Sequence, residues 1–102
     1  PFTKEVPMRE EKYAAIEKYL SKSMLNNGIE QKNDFDLSAQ TFKIHVEKNS
    51  LLLKVSEPFV DDNDIPEIIK RFEKWGLPGL LAKNSNSTVF VGNEGINILK
   101  RS

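Results

Sequence analysis

The residues of this chain best suited to chemistry are cations and amides gathered in its last third. Lys70, Arg71 and Lys74 stand at i, i+1 and i+4, a spacing that places them close together on one side of a helix. Lys83 follows, then the hydrogen-bonding run Asn84-Ser85-Asn86-Ser87-Thr88, then Asn93, and finally Lys100 and Arg101. Lysine and arginine neutralise phosphates, whereas arginine and asparagine form paired hydrogen bonds to guanine and adenine edges. The pattern predicts a surface for double-stranded DNA. Lys70, Arg71, Lys74, Lys83, Lys100 and Arg101 would meet phosphates, and Asn84, Asn86 and Asn93 would read groove edges. Glu73 and Glu94 lie among these positions and would repel a phosphate backbone.

Other chemistries find little support. The chain has no cysteine, which removes disulfides, thiolate metal sites and cysteine nucleophiles and makes an intracellular, cytoplasmic protein the expectation. His45 is the single histidine, too few for a His-rich zinc site. It falls on the polar side of a predicted strand, and the sequence indicates neither a nucleophile nor a carboxylate partner for it. Asp61, Asp62, Asn63 and Asp64 lack the spacing of a calcium-binding EF-hand loop. No glycine-rich phosphate loop is present. The expectation is a protein that is not an enzyme and needs no metal or cofactor.

The elements that must position the cations follow from capping and periodicity. Asp64 is a good N-cap, Pro66 suits a first helical turn, and Glu67 completes an Asp-x-x-Glu capping box. Ile65, Ile68, Ile69, Phe72 and Trp75 then recur with the helical period, and Gly76 is a natural stop. Pro78 opens a short second helix through Leu80, Leu81 and Lys83. Thr88–Val91 and Ile96–Leu99 read as strands of a hairpin about Gly92-Asn93-Glu94-Gly95. Phe90 and Leu99 run out of phase with Val89, Val91, Ile96 and Ile98, so this hairpin is apolar on both faces. A second copy of the chain would cover the spare face.

Upstream, Pro1–Pro7 reads as a flexible tail and residues 8–102 as one domain. Met8–Leu25 is predicted helical, with Tyr13, Ile16, Leu20 and Met24 as its apolar stripe, ending at Asn26-Asn27-Gly28. Ile29–Gln40 fits either an edge strand, through Phe35, Leu37 and Ala39, or an ordered loop. Thr41–Val55 alternates as a hairpin, with Phe42, Ile44 and Val46 answered by Leu51, Leu53 and Val55. Glu57-Pro58-Phe59-Val60 reads as a link to the next helix. No apolar run reaches the roughly 18–20 residues needed to cross a bilayer, and no signal-peptide pattern appears, so no membrane partner is expected.

Charge is unevenly spread within a net charge of zero. Residues 1–33 hold six basic and five acidic side chains, residues 34–64 three and seven, and residues 65–102 six and three. A basic final third behind an acidic middle fits nucleic acid on one face, and the neutral total argues against indiscriminate electrostatic binding.

The segments IPEIIKRFEKWG, LPGLLAKN and STVFVGNEGINILKR together resemble a winged helix-turn-helix domain, over about two-fifths of the chain. The fold class expected is α+β, winged helix-turn-helix-like, in the order α-β-β-α-(short α)-β-β. Size, Lys/Asn/Ile-rich composition and this order also look like the TcpK-type conjugation accessory proteins of clostridial plasmids. That resemblance implies a homodimer that binds a plasmid origin of transfer, with Arg71 and its neighbours on DNA, and that helps other conjugation proteins assemble the relaxosome. A dimeric adaptor that binds only protein is the alternative.

Overall fold

Strict alternation through residues 39–56 builds the centre of the molecule. The computed structural model describes residues 8–101, so the expected tail at 1–7 lies outside them. Strands β2 (Ala39–His45) and β3 (Ser50–Ser56) pair antiparallel, with Phe42 opposite Leu53 and Ile44 opposite Leu51. β1 (Ile29–Asp34) adds to one side of β2. On the other side β4 (Ser87–Gly92) lies parallel to β3, and β5 (Gly95–Lys100) closes the sheet antiparallel to β4. The result is one mixed sheet in the order β1-β2-β3-β4-β5. A parallel neighbour cannot be reached by a tight turn. The β3–β4 pair therefore needs a crossover, supplied by α2 (Glu57–Asp62), α3 (Ile65–Trp75) and α4 (Leu77–Lys83). With α1 (Met8–Ser23), these helices cover one face of the sheet, and the fold class is α+β.

The core lies between sheet and helices. Phe42, Ile44, Leu53, Val55, Val89 and Val91 meet Ile16 and Leu20 of α1, Phe59 and Val60 of α2, Phe72 of α3 and Leu77 of α4, all fully buried. Phe59 and Phe72 stack with ring centroids 6.3 Å apart, locking α2 against α3. Burying one such side chain stabilises the fold by about 1.5–3 kcal/mol.

The predicted helix starts and stops are largely present, with informative departures. Asp64 Oδ1 accepts from Glu67 N at 3.0 Å, and Gly76 takes the left-handed conformation at φ 63°. The Glu67 carboxylate does not complete the expected capping box; it accepts instead from Arg71 Nε at 2.8 Å. The Glu57–Val60 link is a helix. Ser56 Oγ accepts from Phe59 N at 3.1 Å, and Pro58 sits in the first turn, where it needs no N–H donor. Of the two readings for Ile29–Gln40, its first half is an edge strand. Phe35 and Leu37 do not belong to it: they lie exposed in the turn to β2. β1 lacks an apolar period because only Ile29 among its residues meets the core.

The expected order α-β-β-α-(short α)-β-β is thus corrected to α-β-β-β-α-α-α-β-β. The last hairpin is not a free-standing wing, because β4 pairs with β3 inside the sheet.

Candidate nucleic-acid interface

Because β2 descends as β3 and β4 ascend, one end of the sheet collects the β2–β3 turn, the α4–β4 turn and the end of β5. In the first turn Val46 N donates to Asn49 O at 3.0 Å, which leaves Glu47 and Lys48 exposed. In the second, Asn84 Nδ2 donates to Leu80 O at 2.8 Å and Ser87 N to Asn84 O at 2.9 Å. Arg101 ties the three connections together. Its Nη2 donates to Ser50 O at 2.8 Å, and its Nε to Ser87 O at 3.2 Å. The guanidinium thus spans the starts of β3 and β4 and keeps N–H groups to spare.

Beside it opens a depression of about 560 Å³, lined by Lys43, Lys48, Asn49, Ser50, Leu52 and Arg101 among others. Lys100 lies opposite Ser87 at the same end, and Lys83 closes α4 four residues before it. Among the described residues, Lys43, Lys48, Lys83 and Lys100 form no ion pair. Two carboxylates share this end: Glu47 lines the same depression, and Glu30 lies opposite Lys43 in the β1–β2 register.

The structure separates the predicted site residues into three groups. Lys83, Asn84, Asn86, Lys100 and Arg101 fall at the basic end. Lys70, Arg71 and Lys74 line a shallow depression on α3 with Glu67 and Trp75, where the Arg71–Glu67 pair already satisfies part of the guanidinium. Asn93 lies at the far end of the sheet: its Nδ2 donates to Asp62 Oδ2 at 2.8 Å. Asn84 and Asn93 therefore have structural hydrogen bonds to lose, whereas Asn86 is exposed.

That far end is acidic. The β1–β2 turn brings Asp34 and Asp36; the start and end of α2 bring Glu57, Asp61 and Asp62; Asp64 caps α3; Glu94 stands in the β4–β5 turn. Arg9 holds Asp61 with two hydrogen bonds of 2.7 and 2.8 Å, and Lys54 holds Asp34 at 2.8 Å. Hydrogen bonds from these cations keep the Asp61 and Asp34 carboxyls below the usual aspartate range.

Sequence reasoning missed three site features. Lys43 and Lys48 were legible only as the polar phase of a hairpin and its turn, because the β3–β4 pairing that brings Arg101 to them is remote in sequence. His45, for which the sequence indicated no partner, has two: Nε2 lies 2.9 Å from Glu30 Oε2 and Nδ1 lies 3.4 Å from Ser50 Oγ. The serine contact is at the outer limit of a hydrogen bond and Glu30 is exposed, so the geometry describes a cross-strand polar cluster. The hydrogen bond to His45 lowers the Glu30 carboxyl from its ordinary value.

No protein-family model, curated protein or solved structure matches this chain. Among the described residues, no helix is long and apolar enough to cross a membrane.

Proposed function

We propose that this chain is a non-enzymatic, site-specific binder of double-stranded DNA, acting in the cytoplasm. One observation carries the reading: Lys43 and Lys48 line a depression with Arg101, Lys83 and Lys100 fall at the same end of the sheet, and none of the four lysines forms an ion pair among the described residues. Unpaired lysines release counterions when they meet phosphates, which is the main source of affinity for DNA. Asn86, exposed in the α4–β4 turn at the same end, would read a base edge. Lys70 and Lys74 offer a second, weaker phosphate contact. The finer winged-helix reading rests on α3, the Gly76 turn, α4 and the β4–β5 hairpin following one another in that order. A role at a plasmid origin of transfer, with other conjugation proteins as partners, rests on the sequence resemblance.

Fluorescence anisotropy with a labelled pool of random duplexes, at two salt concentrations, tests general affinity. Binding should weaken steeply with salt and be largely lost in Lys43→Ala/Lys48→Ala/Lys83→Ala. Absence of binding at low salt would refute the proposal. Selection from the same pool, with origin-of-transfer duplexes as one arm, tests site specificity. The alternative, an adaptor that binds only protein, is favoured by one feature: Leu52, Phe90 and Leu99 lie on the sheet face that the helices leave open.

A further inference from the structure

The two edges of the sheet are built differently. β1, at one edge, reads IEQKND, and its charges guard it against pairing with another strand. β5, at the other, reads GINILK and, among the described residues, pairs on one side only, with β4. Ile98 is 43% exposed and Leu99 38%, on opposite faces of the strand, and Lys100 is the one charged residue within it. An edge of this kind, apolar and uncharged over most of its length, is a template for strand addition.

The charge on either side of β5 selects what would be added. The strand leaves the acidic end of the sheet at Asn93-Glu94, beside Asp62, and arrives at the basic end at Lys100-Arg101. A second β5 laid antiparallel runs the opposite way, so each copy's acidic end meets the other's basic end. With the two-fold axis at Asn97, Ile96 faces Ile98 of the other copy and Glu94 faces its Lys100. In this arrangement the helix layers of both copies stay on the same side of the sheet.

We propose that β5 is a homodimer interface, in which two copies join edge to edge into one ten-stranded sheet. The edge completes its backbone hydrogen bonds, the exposed Ile98 packs against the partly buried Ile96 of the other copy, and the opposite charges at the strand ends set the direction. This inference does not depend on DNA binding.

Light scattering coupled to size exclusion, in the absence of DNA and over a range of concentrations, should give a dimer mass for the wild-type chain. Ile98→Glu should raise the dissociation constant by about tenfold or more, because a carboxylate would be placed against an apolar strand. Glu94→Lys and Lys100→Glu should each weaken the dimer, and the two together should restore it. Circular dichroism of each variant confirms that the monomer is folded. The chain has no cysteine, so Asn97→Cys provides a direct test of register: mild oxidation should cross-link two copies, while Gln31→Cys on the β1 edge should not. A wild-type monomer at every concentration would overturn the proposal. So would a dimer indifferent to Ile98→Glu and to both charge reversals, or one cross-linked through position 31 and not 97.

Discussion

The two ends of the sheet are made from similar parts, tight turns and helix termini, and carry opposite charge in different ways. At the acidic end most of the charges are engaged by hydrogen bonds or ion pairs, Asp36 and Glu94 excepted among the described residues. Asp61 grips Arg9 and thereby fastens α1 to α2; Asp34 holds Lys54; Asp62 holds Asn93; Asp64 caps α3. At the basic end Arg101 alone of the cations has a structural task, and Lys43, Lys48, Lys83 and Lys100 are exposed and form no ion pair among the described residues. The contrast separates two uses of a charged residue. A paired charge contributes to stability and offers little to a ligand, whereas an unpaired one contributes little to stability and keeps its field for a partner. The net charge of zero conceals this division.

Substitutions at the two ends should therefore have different consequences. The largest effect is expected from Lys43→Ala/Lys48→Ala/Lys83→Ala, which should reduce affinity for duplex DNA about a hundredfold at low salt and flatten the salt dependence by two to three phosphates' worth. Its urea denaturation midpoint should barely move. Equal affinity in variant and wild type would place the contact surface elsewhere.

Asp64→Ala should do the reverse. Loss of the cap on α3 should cost about 1 kcal/mol in urea denaturation, with DNA affinity unchanged. Arg101→Lys lies between the two, because it keeps the charge and loses the two-carbonyl strap. A stability loss of about 1 kcal/mol with affinity within a few-fold of wild type is expected. A large loss of affinity in this variant would show that the guanidinium itself contacts DNA.

Acid should act first on the acidic end. Asp34 and Asp61 have folded-state pKa values below their unfolded ones. Their stabilising contribution is present above the unfolded value of about 3.9 and is lost as pH falls through the folded values. Thermal melts should be flat from neutral pH to about 5 on this account and fall below about 4. Asp34→Asn/Asp61→Asn should melt lower at neutral pH and lose less on acidification. A melt profile unaltered by the double substitution would remove these ion pairs from the stability of the fold.

The smallest effect belongs to α3. Lys70→Ala/Lys74→Ala should weaken DNA binding only about twofold to threefold, because these lysines stand apart from the main cluster. A loss equal to that of the sheet-end variant would restore α3 as the principal contact.

The local grammar of the chain was readable residue by residue. Asp64, Pro66 and Gly76 announce the limits of α3, and Phe42, Ile44, Leu51 and Leu53 announce a hairpin, because caps and alternation depend on neighbours a few positions apart. α2 was hidden because Ser56-Glu57-Pro58 reads equally as the end of a strand and as a capped helix start. β1 was half hidden because an edge strand whose residues are mostly polar leaves little trace of period two.

The site was legible only in part, for a different reason. Lys83, Lys100 and Arg101 were recognised by residue type, but nothing nearby in sequence connects them with Lys43 and Lys48, or detaches Asn93 from them. Composition and short-range pattern determined that the chain would be an α+β domain with cationic residues concentrated late. The parallel pairing of β3 with β4, stabilised by burial of Leu53, Val55, Val89 and Val91 under the helices, decided which of those cations share a surface. It also left β5 as an open edge among the described residues. Long-range strand order is chosen by the joint burial of segments far apart in the chain, and no local stretch carries that information by itself.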